Sequence, residues 1–357
     1  MPSPQEILEQ LKRVAYPGLT RDIVAFGFVK DIEIGSRGVT ITLSPTTDNQ
    51  DVIAEIRRRV VGTVQAMGVD TVEIVVEPPA PKAPLAAVRA KPKVDNVKRI
   101  LAVASGKGGV GKSTVAVNLA LSLRRLGREV GLLDADVYGP SVPTMLGLAE
   151  RPRADEQKRI EPIESHGLRA ISMGLFVEPA KPIIWRGPMI TKLLVEFVRN
   201  VLWGDLDYLL IDMPPGTGDA QLTICQQVPL AGGVIVTTPQ EVALLDVKRG
   251  VTMFREVNVP VLGVVENMSV HVCRKCGGSH DLFGSGGGQQ MARRFGIPFL
   301  GALPLVREVR EAADRGSPIV AADPDHAVSR AFLDIATRVE AELARLDAAP
   351  PLAGAYR

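Results

Sequence analysis

A mostly parallel α/β sheet flanked by helices, preceded by a small α/β domain, is the fold class this 357-residue sequence predicts. Three observations carry the prediction. From Ile100 onward, apolar strand-like runs alternate with stretches whose apolar residues recur at helical spacing, as in a parallel sheet built from strand–helix–strand units. The first of those runs, Ile100-Leu101-Ala102-Val103-Ala104, leads directly into a glycine-rich turn and a helix start. Between Pro78 and Lys98 the composition changes to proline, alanine and scattered basic residues, a stretch that cannot bury apolar surface and so separates two folding units.

Taken in order, residues 1–77 read as the small domain. Ile7, Leu8, Leu11 and Val14 recur at helical spacing, strand-like runs follow at 29–34 and 39–43, Asp51 precedes the helical pattern Val52, Ile56, Val60 and Val64, and Val72–Val76 supplies a last strand. Residues 78–98 are the linker, residues 99–347 the large domain, and residues 348–357, with Pro350-Pro351, a tail expected to be disordered. A hydrophobic fraction of 46% and a charged fraction of 23% are ordinary for a soluble globular protein. The net formal charge of +2 supplies no general attraction to nucleic acid or anionic membrane, so neither partner is expected. No apolar run approaches a membrane span, and Met1-Pro2-Ser3-Pro4-Gln5-Glu6 lacks the basic start of a signal peptide, so a cytoplasmic location is expected.

The large domain opens on Gly106-Lys107-Gly108-Gly109-Val110-Gly111-Lys112-Ser113-Thr114, which satisfies G-x-x-x-x-G-K-[ST] between a strand and a helix. Glycines let successive N–H groups converge on one concavity, and the helix beginning near Lys112 adds its positive end, so the loop is expected to hold the phosphates of ATP. Lys112 would reach the β and γ oxygens, and the Ser113 hydroxyl would ligate the bridging Mg²⁺. Four specified positions arise by chance in a chain this long only about once in a hundred sequences. Lys107 is surplus to that cradle. It is either a solvated lysine or a cation reaching the nucleotide of a second subunit.

The helix after the loop carries Ala116, Leu119, Ala120, Leu123 and Leu126 on one face and closes at Gly127. The next strand ends in Asp134-Ala135-Asp136, where a carboxylate would order Mg²⁺ waters or orient the attacking water, unless it merely caps a turn. Leu146–Phe176 is irregular and partly strand-like, and is expected to be an insertion near the site rather than core. A helix bearing Leu193, Leu194, Phe197, Val198 and Val201 follows Trp185-Arg186-Gly187-Pro188-Met189. Tyr208–Asp219 then reads as an apolar strand ending in Asp212, the Walker B arrangement, with Gly216-Thr217-Gly218 able to bend close to the γ-phosphate. Two further strands, 232–239 and 261–269, are joined by a helix from about Glu241 to Val257, and Asn267 stands where the second strand ends. Phe299–Pro304 and the helix bearing Val328, Phe332, Ile335, Val339, Leu343 and Leu346 complete the sheet and cover it.

Three cysteines, an odd number with two of them close together, point to reduced thiols used chemically. Cys225, in a helical stretch, is expected to be a buried structural thiol. Cys273 and Cys276, in His271-Val272-Cys273-Arg274-Lys275-Cys276-Gly277-Gly278-Ser279-His280, admit four readings. These are a zinc site with His271 and His280, a redox dithiol, inert loop thiols, or half of a Cys₄ set shared by two chains around a [4Fe–4S] cluster. Gly284-Ser285-Gly286-Gly287-Gly288 beyond them is expected to be flexible.

Gly106–Thr114 resembles the deviant Walker A loop of the P-loop ATPases that include the nitrogenase iron protein and the MinD and ParA proteins. That resemblance implies a nucleotide-sandwich homodimer in which Lys107 acts across the interface. Within the group, Arg186-Gly187-Pro188-Met189, Glu266-Asn267-Met268-Ser269 and the Val272-Cys273-x-x-Cys276 that follows resemble the Mrp/ApbC branch of iron–sulfur cluster carrier ATPases over nearly the whole chain. Arg21–Val29 resembles the small SufT/PaaD-like domain that precedes the ATPase in many Mrp proteins. Tyr16 stands where relatives carry an acidic residue, and Ser44-Pro45-Thr46-Thr47 holds no cysteine, which favours an adaptor or substrate-docking role over a metal or thiol role for that domain. The resemblance further implies a switch I in which Asp136 positions water, a switch II containing Asp212 and Gly216, adenine contact by Asn267, and cluster ligation by Cys273 and Cys276.

The sequence therefore predicts a P-loop NTPase. The expected activity is slow ATP hydrolysis with Lys107, Lys112, Asp136 and Asp212 as catalytic residues and Ser113, Asp136 and Asp212 at Mg²⁺. The expected task is carriage of a [4Fe–4S] cluster at a homodimer interface, with apo iron–sulfur proteins and cluster scaffold proteins as partners. A MinD/ParA-like positioning scaffold or a zinc-binding ATPase are the alternatives. The scaffold leaves C-x-x-C without a use, and Leu346–Leu352 lacks the basic amphipathic face of a membrane-docking tail.

Overall fold

The computed structural model of the chain describes residues 2–14, 22–24, 28–35, 38–44, 50–76, 94–137, 139–157, 159–176, 187–273, 276 and 278–348. Most of the 78–98 linker, the departures at Tyr16 and at 45–47, Trp185-Arg186 and the tail from 349 lie outside them. The chain divides into two compact units, Met1–Ala90 and Lys91–Arg357.

In the first unit, helix α1 (Pro4–Leu11) is started by Ser3, which accepts the Glu6 N–H while the Glu6 carboxylate takes the Ser3 N–H, a capping box. Strands β1 (Val29–Gly35) and β2 (Gly38–Leu43) pair antiparallel, helix α2 (Gln50–Gln65) follows, and β3 (Val72–Val76) lies parallel to β2. Alternate residues of β2, Val39, Ile41 and Leu43, are buried with Ile7, Leu11, Ile56, Val60 and Val64 of the helices, so the period-2 and period-3.6 patterns meet in one core.

The second unit runs β4 (Val97–Ala104), α3 (Lys112–Arg125), β5 (Val130–Asp134), α4 (Val142–Leu146), β6 (Ile163–Ser165), β7 (Leu168–Ser172), α5 (Gly187–Asn200) and β8 (Leu206–Asp212). It continues through α6 (Asp219–Gln227), β9 (Leu230–Thr237), α7 (Glu241–Glu256), β10 (Val261–Glu266), β11 (His271–Val272), β12 (Ser279–His280) and α8 (Gly287–Phe295). It closes with β13 (Phe299–Ala302), α9 (Arg307–Asp314), α10 (Ile319–Ala322) and α11 (Ala327–Ala348). Eight strands form one sheet in the order β13-β10-β9-β4-β8-β5-β7-β6, parallel except for the β6–β7 hairpin, and apolar side chains pack on both faces. Leu119 and Leu123 of α3 are fully buried, each stabilising the packing by about 1.5–3 kcal/mol.

Three expectations need correction. Residues 146–176 are not an insertion outside the core. β7 pairs in parallel with β5, Leu168, Ala170 and Ile171 are wholly buried, and the hairpin turns on His166 and Gly167, both at positive φ. Five-residue and three-residue strands are too short to show a period, which is why this sheet edge reads as irregular. The glycine-rich stretch after the cysteines is held in place, because the Glu266 carboxylate accepts the N–H groups of Gly286 (3.1 Å) and Gly288 (2.6 Å) at the start of α8. The large domain's first strand begins at Val97, inside the stretch expected as linker.

Candidate functional site

β4 lies between β9 and β8, so the loop that leaves its C-terminal end is flanked by the ends of both neighbours. Gly111 takes φ +78°, and a Cβ there would stand 2.2 Å from the Asn267 amide nitrogen, so only glycine fits this turn. Helix α3 starts at Lys112 with no side-chain cap and no acidic residue in its first turn, leaving its positive end aimed into the loop. Asn267 Nδ2 donates to the Val110 carbonyl at 2.9 Å, tying the end of β10 to the loop. Asn267, expected at the adenine edge, also braces the phosphate loop.

Lys112 is buried, and its ammonium donates to Asp212 Oδ1 at 2.5 Å and to Ser113 Oγ at 3.2 Å. Three of the expected site residues are therefore in direct contact. Asp212 Oδ2 is buried and has no hydrogen-bond partner among the described residues. A buried carboxylate oxygen left in this state costs about 1–3 kcal/mol, and a divalent cation or its bound water beside Ser113 satisfies it, so these residues fit Mg²⁺.

Asp136 lies on the loop beyond β5, where its carboxylate accepts the Gly139 N–H at 3.1 Å and raises the pKa of Asp212 electrostatically. Asp134, which the sequence reading passed over in favour of Asp136, stands opposite Asp212 in the parallel register of β5 and β8. It is fully buried and accepts the Ser172 hydroxyl at 2.8 Å and the Asp136 N–H at 3.0 Å. Burial and the neighbouring Asp212 charge push its carboxyl up to about 7. Burial pushes Asp212 up as well, opposed by the Lys112 ammonium. One signal could have found Asp134: β5 ends in an aspartate after an apolar run, as β8 does.

Gly216 follows β8 at φ +97°, its N–H donating to the Ser105 carbonyl at 3.0 Å. Gln221, which no motif marks, donates to the carbonyls of Pro214 (2.8 Å) and Pro215 (2.6 Å) and so steadies the same turn. Lys107 is not in the cradle. Its ammonium reaches outward to Gln240 Oε1 at 3.2 Å, at the N-cap of α7.

The thiols lie on a hairpin that follows the C-terminal end of β10 in the chain. β11 and β12 pair antiparallel, His271 opposite His280, and Cys273 N–H closes the loop on the Gly278 carbonyl at 2.9 Å. Cys273 is half-buried and Cys276 exposed, neither in a disulfide. Their sulfurs and one ring nitrogen of His280 all lie within 4.8 Å of one another. His271 is turned away, its Nδ1 meeting the Leu305 carbonyl at 3.2 Å. Cys225 is wholly buried in α6, as expected of a structural thiol. No helix among the described residues is long and apolar enough to cross a membrane.

Residues 96–340 match the family described as ParA, NUBPL iron-transfer P-loop NTPase, and residues 4–76 match the family described as iron–sulfur cluster assembly protein. The chain is 45% identical to the iron–sulfur cluster carrier protein of Haemophilus influenzae over 341 residues, 95% of this chain and 91% of that one. It is 43% identical to the protein of the same description from Synechocystis sp., over 93% of this chain and 96% of that one. Among solved structures, the nucleotide-binding protein of Archaeoglobus fulgidus, in complex with ADP and with Co, superposes with a TM-score of 0.56 at 39% identity. That match covers 62% of this chain and 88% of the other. The cell division ATPase MinD of Pyrococcus furiosus, at 21% identity and a TM-score of 0.54 over 68% of this chain and 99% of its own, shares the fold. A strand–loop–helix phosphate cradle, a buried aspartate at the end of the adjacent strand and a paired thiol hairpin, in a chain matched over nearly its whole length, make it a member of the NUBPL iron-transfer P-loop NTPase family, among the iron–sulfur cluster carriers.

Proposed function

We propose that two copies of this chain form a homodimer that holds a [4Fe–4S] cluster as cargo on Cys273 and Cys276 of both subunits, and that ATP binding and slow hydrolysis accompany its delivery to apo iron–sulfur proteins. The observation that carries this reading is the placement of both thiols together at the tip of a surface hairpin, in a unit that also holds a buried cradle built for a nucleotide. Each chain offers two thiolates where a cluster of this type takes four, so a second copy supplies the remainder. Reduced thiols suit the cytoplasm, where a cluster scaffold protein would hand over the cargo.

Within the cradle, the chain's own groups set the order of events. Lys112 is engaged with Asp212, and an arriving triphosphate offers the ammonium a competing anion, which releases the Asp212 carboxylate. Ser113, Asp136 and Asp212 are the residues that would hold Mg²⁺, whose chemistry there is neutralisation of charge on the β and γ oxygens. Asp136, on the switch I turn, orients the attacking water, and Gly216 follows the γ-phosphate. Lys107, held by Gln240 within its own chain, is released to the partner's nucleotide when the subunits close. The Archaeoglobus relative, solved in complex with ADP, supports nucleotide binding by this chain.

Anaerobic reconstitution with iron and sulfide tests the proposal. The wild-type chain should gain a broad thiolate-to-iron absorbance with about four irons per dimer. The reading is lost if no such band forms, or if Cys273→Ala/Cys276→Ala gives an equal one. Co-sedimentation with DNA or liposomes in the presence of ATP, at physiological salt, would instead favour a positioning scaffold.

A further inference from the structure

We propose that His280 is a third metal ligand, so that one chain by itself binds a single thiophilic divalent cation through Cys273, Cys276 and His280 with a fourth position open. The inference rests on the carrier reading for the use of the two thiolates and adds a state that precedes subunit pairing.

Spacing alone offers two histidines on equal terms, since His271 and His280 flank the cysteines and face each other across the β11–β12 ladder. The fold separates them. The segment after β13 runs alongside β11, and its Leu305 carbonyl, which can only accept, takes the His271 Nδ1 proton. That bond leaves His271 with Nε2 as its lone-pair nitrogen, yet it is a ring nitrogen of His280 that joins the two sulfurs in a triangle with no side longer than 4.8 Å, a group that does not include His271. Ligands of a tetrahedral ion bound at about 2.3 Å to sulfur and 2.0–2.1 Å to nitrogen are roughly 3.5–3.8 Å apart. Closing the triangle thus needs side-chain movement of about an ångström at an exposed hairpin tip.

Gly278 supplies an independent sign that the space among these atoms is kept open. A Cβ on Gly278 would stand 3.3 Å from Cys276 Sγ and 3.6 Å from His280 Nε2, so a side chain there would project among the ligand atoms. Three ligands leave a fourth position on the ion open to water or an incoming ligand, whereas a closed structural site takes four. Binding releases the two thiol protons, because thiolates are the ligating form. A four-thiolate cluster between two chains has no use for the imidazole, so His280 distinguishes the single-chain ion from the shared cluster.

The test is an anaerobic Co(II) titration of the reduced full chain, with sizing of each sample, alongside cluster reconstitution of the same variants. The wild type should bind one Co(II) per monomer with tetrahedral absorption and charge transfer from two thiolates. His280→Ala should weaken binding by at least about tenfold, since loss of even an outer-shell partner costs 10–100-fold. His280→Cys should restore binding and add a third thiolate's charge transfer, and His271→Ala should bind as the wild type does. Unchanged ADP affinity in each variant reports an intact fold. Equal affinity and spectrum in His280→Ala, or a four-thiolate spectrum found only in dimers, overturns the inference while leaving the carrier reading standing. Normal Co(II) behaviour with no cluster formed on the wild type would sink the carrier reading and leave His280 as a ligand.

Discussion

The phosphate cradle and the thiol hairpin lie in the same unit yet are built on opposite physical terms. The cradle is an interior: Lys112 starts a helix and Asp212 ends a strand of the large sheet, both are desolvated, and their charges compensate one another. The hairpin is a surface: two-residue strands, an exposed Cys276 and an exposed His280. A buried ion pair is costly to disturb and so keeps its geometry before the ligand arrives. An exposed thiol pair can be approached by a second protein, which a cargo site requires and a hydrolytic site must avoid.

The largest contrast should appear when one charge is removed from each region. Lys112→Ala leaves Asp212 buried without its cation and should lower the unfolding free energy by about 3–5 kcal/mol, besides abolishing ATP binding. Urea denaturation of the reduced chain measures it, and a change below about 1 kcal/mol would mean that water reaches this carboxylate. Cys276→Ala, in the same assay, should stay within about 0.5 kcal/mol of the wild type.

Next in size is the pH response of Asp134. Its pKa rises from an ordinary 3.8 to about 7 on folding. Between those values the nucleotide-free folded chain keeps a proton that the unfolded chain has released, so stability falls as pH climbs through that window and levels off above it. Asp134→Asn removes the titration and can still accept the Asp136 N–H. It should raise stability at pH 8 by about 1–3 kcal/mol and flatten the profile from pH 4 to 7. An unchanged profile would assign the cradle's proton elsewhere.

A middle case joins the two regions. Glu266 grips Gly286 and Gly288 with its carboxylate, while Asn267, the next residue, grips the phosphate loop. Glu266→Gln keeps the size but loses the charge-assisted bonds, and should cost about 1–1.5 kcal/mol. Hydrogen exchange should quicken at 284–290 first, and exchange unchanged there would show that the glycines need no clamp.

The smallest effect on stability is expected of Lys107→Ala, whose partner Gln240 is only part-buried, at under about 0.5 kcal/mol. Hydrolysis should nevertheless fall at least about a hundredfold, the scale of one lost charge donor at a transition state. Full activity in that variant would remove the trans-acting role.

How much of this was legible follows the range of each interaction. The alternation of strands and helices, the G-x-x-x-x-G-K-S loop, the aspartate ending β8 and the C-x-x-C spacing are patterns within a few residues, and the sequence by itself determined them, because backbone periodicity and turn chemistry are local. What only the tertiary structure decided depends on which distant segments meet. The parallel register sets Asp134 against Asp212, with Ser172 on the next strand, and so buries one carboxylate of the Asp134-x-Asp136 pair opposite a second carboxylate. The strand pairing of β7 with β5 turned an apparent insertion into sheet. The Leu305 carbonyl, more than thirty residues beyond His271, turned that ring aside and left His280 with the thiols. Each choice was made by a hydrogen bond or a buried charge between residues far apart in the chain, and no short pattern records such a contact.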